Sequence, residues 1–191
     1  MYGVALTIDK PALQRFEKIV RKLYGGGVDQ VLGWAAKRAA DTASKVGRQK
    51  IKEKYYIKPG YLRRGISIVP YGTSGAMMIV RGWREYVGHY KAKPKAKGIF
   101  VAVKRGNLKL IPKSFNKGIN KYTESQEETF FKRLGFERFP IKKLCGPAVP
   151  QLFGNPEVLE EMSKAALERY AQRAEHELLR VMKEDSKLSK I

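Results

Sequence analysis

Apolar residues recur at helical spacing in three stretches of the chain and at strand spacing through its middle third. Leu13, Phe16, Ile19, Val20, Leu23 and Tyr24 mark one helix, capped by Asp9 with Pro11 in its first turn and ended by Gly25-Gly26-Gly27. Val31, Leu32, Ala35, Ala39, Ala43 and Val46 predict a second over about 29–54, with Gly47 as a mild interruption. Its alanines allow another element to come close, and residues 45–54 are nearly all basic outside the stripe. A third stripe, Leu159, Met162, Ala166, Leu167, Tyr170, Ala174, Leu178 and Val181, predicts a long closing helix over about 156–184 with a mixed-charge outer face. Strand-like runs fall at 65–69, 76–82, 99–103, 109–111 and 129–134, with a short edge strand at 2–8. The first two are separated by turn residues and predict a hairpin. Ile57-Lys58-Pro59-Gly60 reads as a turn, 90–98 as a mobile basic loop and 116–128 as a polar loop. The expected fold is α+β: N-terminal helices, a central mainly antiparallel β-sheet and a long C-terminal helix. At 191 residues the chain has room for one domain with its own core.

Charge changes the picture. The formal net charge is +21, with a pI near 10.1, which implies a polyanionic partner or a strongly acidic protein neighbour. Between residues 30 and 121 stand 22 Lys and Arg against three acids, Asp41, Glu53 and Glu85. Eight acids gather after Asn155. A basic side and a more neutral helical side are therefore expected. No apolar run approaches the ~20 residues that span a bilayer, and the first ten residues lack a signal-peptide layout. No membrane partner is expected.

Catalytic chemistry finds little to work with. The two histidines, His89 and His176, occupy unrelated contexts and read as surface or loop residues. Cys145 is the one cysteine, which excludes an internal disulfide, and it reads as a small packed residue. Glu127–Glu128 and Glu160–Glu161 are adjacent pairs, which a helix would point apart. Gly25-Gly26-Gly27 lacks the lysine-serine of a phosphate loop and follows a helix, so it reads as a connection. No catalytic residue, metal site or cofactor is expected.

The basic residues form two clusters. Lys45, Arg48, Lys50, Lys52, Lys54, Lys58, Arg63 and Arg64 make one; Lys91, Lys93, Lys95, Lys97, Lys104, Arg105, Lys109 and Lys113 make the other. Tyr55, Tyr56, Tyr61, Trp83, Tyr86 and Tyr90 are interleaved with them. Cations for phosphates and rings for stacking are what a nucleic-acid surface uses. The plainer reading is a solvated face or a patch for an acidic protein. No helix-turn-helix, finger or RNP signature points to sequence-specific readout.

Residues 138–156 combine four prolines and two glycines with Phe139, Ile141, Leu144, Val149, Leu152 and Phe153. So broken a segment is expected to be neither helix nor central strand, and so apolar a one to pack along the chain's own core or a neighbouring subunit. Arg138, Pro140, Ile141, Leu144, Gly146, Pro147, Val149, Pro150 and Gln151 resemble the C-terminal signature of the minor tail protein Z family of lambda-like phages and prophages. Phe100-Val-Ala-Val-Lys, Lys109-Leu-Ile-Pro-Lys-Ser-Phe and Thr129-Phe-Phe-Lys-Arg-Leu-Gly resemble strands that precede it, and the alanine-rich helix with Ile57-Lys58 and Leu62-Arg63-Arg64 resembles the family's basic N-terminal half. Lys113-Ser114 replaces a usual Gly-Ala, and Cys145 a common aromatic. Residues 1–25 and the last helix add nothing specific.

The resemblance implies one domain over 1–191: a basic helix at 28–56, strands and a basic loop at 65–135, the Pro-rich arm at 138–156 and a helix at 156–185. It implies a structural role in tail completion and head–tail joining, in the virion tail after assembly in the host cytoplasm. Implied partners are other tail and head–tail junction proteins, further copies in a ring, and the phage DNA end. On this reading Arg138, Phe139, Pro140, Ile141, Leu144, Gly146, Pro147, Val149, Pro150, Leu152 and Phe153 form a subunit interface. Lys45, Arg48, Lys50, Lys52, Lys54, Arg63, Arg64, Lys91, Lys93, Lys95, Lys97, Lys104 and Arg105 would contact DNA or another polyanion. The alternative is a free, non-sequence-specific nucleic-acid-binding protein. A small nuclease is disfavoured by the shortage of acids and histidines.

Overall fold

The computed structural model describes residues 28–116 and 129–188, with side chains through Arg180. The expected strand at 2–8, the helix ending at Gly25-Gly26-Gly27, the polar loop past Asn116 and the Val181 side chain lie outside the described residues. The fold is α+β. Helix α1 (Val28–Lys54) leads to a short α2 (Pro59–Arg63), then β1 (Ile66–Tyr71), β2 (Gly75–Val80), β3 (Arg84–Tyr86), β4 (Lys91–Lys95) and β5 (Gly98–Ala102). Next come β6 (Lys109–Pro112), β7 (Ser114–Asn116), β8 (Phe130–Arg133), β9 (Ile141–Lys143), β10 (Cys145–Ala148), α3 (Val149–Phe153) and the long α4 (Pro156–Leu188). Every described pairing is antiparallel, but the strands form four small sheets instead of one: β1–β2, β3–β10, β4–β5–β6 and β7–β8–β9.

The described residues fall into two compact units. One holds 49–65, 81–116 and 129–152; the other holds 28–48, 66–80 and 153–188.

In the second unit, Val31, Leu32, Ala35, Ala36, Ala39, Ala40 and Ala43 of α1 are buried, and Val46 is half-buried. Asp29 in the first turn and Lys52 and Lys54 in the last suit the helix dipole. Gly47 is a packing requirement. A Cβ there would lie 2.8 Å from a Phe153 ring carbon and 2.5 Å from the Met162 sulfur. On α4 the buried stripe is Val158, Met162, Ala166, Tyr170 and Ala174, a strict fourth-residue repeat. Leu167, expected inside, is exposed, because it sits one position, about 100°, round from Ala166. The expected hairpin is present, pairing Ile66 with Val80 through Tyr71 with Gly75.

The first unit is built on the inner face of β4–β5–β6. Ile99 and Val101 meet Val87 and Phe130, with Ala92, Val103, Ile111 and Leu144 packed around them. Two expectations change here. The segment expected as a mobile loop at 90–98 contains β4, an edge strand running opposite β5. Its Lys-Ala-Lys-Pro-Lys alternation sends Ala92 to the core, and an edge strand tolerates Pro94.

The arm is also regular. β9 is an edge strand, β10 pairs with β3, and Pro150 sits in the first turn of α3, where proline has no helical N–H to forfeit. Leu144 donates its N–H to Phe130 O at 2.9 Å, and Val87 donates to Leu144 O at 3.1 Å. The Gln151 side chain accepts from the Ala148 N–H at 2.9 Å. Phe139–Pro140 is a cis peptide.

Candidate nucleic-acid interface

Charge divides along the same line as the fold. The described residues of the first unit carry 21 Lys and Arg against Glu53, Glu85 and Glu137; those of the second carry ten against ten acids. Of the thirteen cations expected to contact a polyanion, only Lys45 and Arg48 fall in the neutral unit. The expected basic side is therefore one unit, to which the arm adds Arg138, Lys142 and Lys143.

Within it, the end of α1 and the start of the loop after β5 meet. Tyr55 bridges to Lys104, Tyr56 N–H donates to Val103 O at 2.8 Å, and Arg105 N–H donates to Lys54 O at 2.9 Å. The Arg105 guanidinium also donates to Lys52 O at 2.9 Å. Tyr56 lies at the centre of this junction, with Lys91 Nζ and the Arg105 guanidinium each 4.7 Å from its ring centroid. Exposed Lys91 and Arg105 thus converge on one half-buried ring, and Lys104 Nζ lies 6.0 Å from the neighbouring Tyr55 ring.

β4 extends the cluster. Lys91, Lys93 and Lys95 stand opposite Ala102, Phe100 and Gly98, so they share the face away from the core. Lys95 Nζ lies 5.1 Å over the Phe100 ring. Lys97 follows in the turn and is exposed. Arg63 and Arg64 are exposed elsewhere in the unit, the latter 4.6 Å over Tyr61.

The interleaved aromatics differ from expectation. Tyr55, Tyr61 and Tyr90 are buried, and Lys143 Nζ covers the partly exposed Tyr86 ring at 3.1 Å. Among the six rings, only Trp83, 80% exposed, presents a broad open surface. His89, expected at the surface, is buried: it stacks on Tyr61 at 3.6 Å, and its Nδ1 lies 2.6 Å from Glu85 Oε2. Its pKa falls below the ordinary value chiefly because burial disfavours the charged ring; the Glu85 hydrogen bond opposes this. The neutral ring therefore donates from Nδ1 to the carboxylate. His176 is exposed on α4 beside Glu177. Cys145, expected to be packed, is exposed.

The arm residues divide. Val149, Pro150, Leu152 and Phe153 are buried in the chain's own core, which corrects their assignment to a subunit interface. Gly146 and Pro147 are half-buried against Tyr90, whose hydroxyl donates to Pro147 O at 2.8 Å. Ile141 and Leu144 are half-buried, while Arg138, Phe139 and Pro140 are exposed. Sequence patterning missed the apolar tip beside them. In the β8–β9 connection Leu134 is 61% exposed, Phe136 94% and Phe139 62%. Lys113 Nζ rests 4.3 Å over Phe136. A Leu-Gly-Phe run between two strands was the available signal.

Among the described residues no three or more His, Cys, Asp or Glu gather to hold a metal, and no helix is long and apolar enough to cross a membrane. Comparison with models of known families, with curated proteins and with solved structures finds no match to this chain.

Proposed function

We propose that this protein is a structural component of a phage or prophage tail, acting in tail completion and head–tail joining near the head-proximal end. The observation that carries the reading is the concentration of 21 cations against three acids in one compact unit. Such a field attracts a polyanion and suits a part that meets a DNA end. Two further features support it. Residues 138–151 resemble the tail-protein signature, and Leu134, Phe136 and Phe139 are exposed apolar side chains in one connection, of the kind a protein neighbour covers. The chain needs no turnover in this role, and its copies would assemble with one another and with neighbouring tail proteins.

Deleting the gene from an inducible phage tests the proposal. Capsids and tails should accumulate unjoined in electron micrographs, and the wild-type gene supplied in trans should restore whole particles. Normal particles from the deletion strain would overturn it.

The second reading, a free nucleic-acid-binding protein, draws on the same charge. It predicts a monomer that binds nucleic acid and never enters particles.

A further inference from the structure

The rings of the basic unit, more than its charge, decide which polyanion fits. We propose that β4 and the Tyr56 cluster form a site for the sugar–phosphate backbone of duplex nucleic acid, read without regard to base sequence. The inference deepens the polyanion half of the reading above and rests on it.

Single-strand sites combine a cationic groove with open aromatic faces on which successive bases stack. Here five of the six interleaved rings are covered or buried, and Trp83 alone lies open. Tyr56 carries both Lys91 and Arg105 at its ring, Tyr86 is covered by Lys143, and Tyr55, Tyr61 and Tyr90 are buried. Around β4 and Tyr56 what remains open is cationic: Lys93 and Lys97, with the ammonium and guanidinium groups that rest on the rings. A cation over a ring keeps its outward N–H donors, and the contact limits the freedom it loses on meeting a phosphate.

The spacing agrees. Alternate residues of a strand recur about every 6.8 Å, comparable to the separation of neighbouring phosphates along one nucleic-acid strand. Lys91, Lys93 and Lys95 form such a comb on one side of β4, and Phe100 and Tyr56 steady its two ends. Lys104 and Arg105, over the Tyr55 and Tyr56 rings, continue it beyond Lys91. Lysines on an edge strand also deter sheet-to-sheet aggregation, but that task does not call for further cations beyond the strand end.

The test is binding of the full chain to a 30-base-pair duplex, to either of its strands alone, and to polyglutamate, across a salt series. Expected are tighter duplex than single-strand binding, indifference to sequence, and a steep fall of log affinity with log salt. The double variant Lys93→Glu/Lys95→Glu keeps a charged edge strand while removing two phosphate contacts. It should weaken duplex binding roughly tenfold or more and lower the salt slope by about two. Lys164→Glu on α4 should change neither. Should circular dichroism reveal an unfolded double variant, Lys97→Glu carries the same test with a slope change of about one. Single-strand preference lost in Trp83→Ala, binding to polyglutamate alone, or a folded variant with unchanged duplex affinity would each overturn the assignment. Particle assays fail separately: absence from particles removes the tail reading and leaves duplex binding standing.

Discussion

Tyr90 donates its hydroxyl to the carbonyl of Pro147 at 2.8 Å, closing a link between the start of the β4 sheet and the Pro-rich arm. Burial pushes the phenol well above its ordinary pKa, so it remains a donor at any working pH. The same ring packs against Gly146, where a Cβ would come within 2.7 Å of it. Gly-Pro in the signature is thus a seat for Tyr90 within this chain's own fold. Tyr90→Phe should cost about 1 kcal/mol, and Gly146→Ala about 1–3 kcal/mol. Urea unfolding followed by fluorescence checks both; an unshifted midpoint in Gly146→Ala would mean the contact is loose.

Gly47→Ala sets two effects against each other. Alanine in a helix interior gains up to about 1 kcal/mol over glycine. The new methyl must displace the Met162 thioether, which yields, and the buried Phe153 ring, which has nowhere to go. Overpacking of about 1–3 kcal/mol should win. The variant is expected to melt below wild type in calorimetry.

The exposed β8–β9 connection and the arm's buried end should respond oppositely to mutation. Phe136→Asp and Phe139→Asp should change stability by no more than about 0.5 kcal/mol while abolishing entry into particles. Leu152→Ala, in contrast, should cost about 2–5 kcal/mol through its cavity. Thermal melts paired with particle blots separate the two classes. Full incorporation of the Phe136 variant would show that the tip meets no neighbour.

Stability should fall on mild acidification. His89 binds its proton less readily folded than unfolded, because burial lowers its pKa below 6.5. Below pH 6.5 the unfolded chain therefore holds more protons. The histidine's contribution, complete above that pH, is lost as pH drops toward the lowered folded value. Urea midpoints at pH 7.5, 6.5 and 5.5 should decline in wild type and flatten in His89→Gln. Equal slopes in the two proteins would assign the decline to other groups.

Much of this fold is legible in the chain itself. The alanine stripe of α1, the β1–β2 hairpin and the long α4 follow from local periodicity, which short-range sterics enforce. β4 was legible in principle, since Lys91, Lys93 and Lys95 alternate with Ala92 and Pro94, but low complexity made it read as a loop. What makes it a strand is β5, whose pairing no local pattern reveals. The arm misled for a related reason. Its prolines lie where edge strands and a first helical turn accept them, so a segment read as irregular folds into three short elements. Tyr55, Tyr61 and His89 read as surface residues because polar tips hide rings that pack; only tertiary contacts bury them. The cations group as a basic side in the sequence, yet the gathering of all but Lys45 and Arg48 of them in one unit depends on which segments the fold brings together.

The central claim, a part of a tail, is tested most directly by quantitative mass spectrometry of particles purified through a density gradient from an induced host. The account predicts this protein in every intact particle at a fixed copy number, enriched in the tail fraction after mild dissociation. Particles that are infectious and contain none of it would contradict the account.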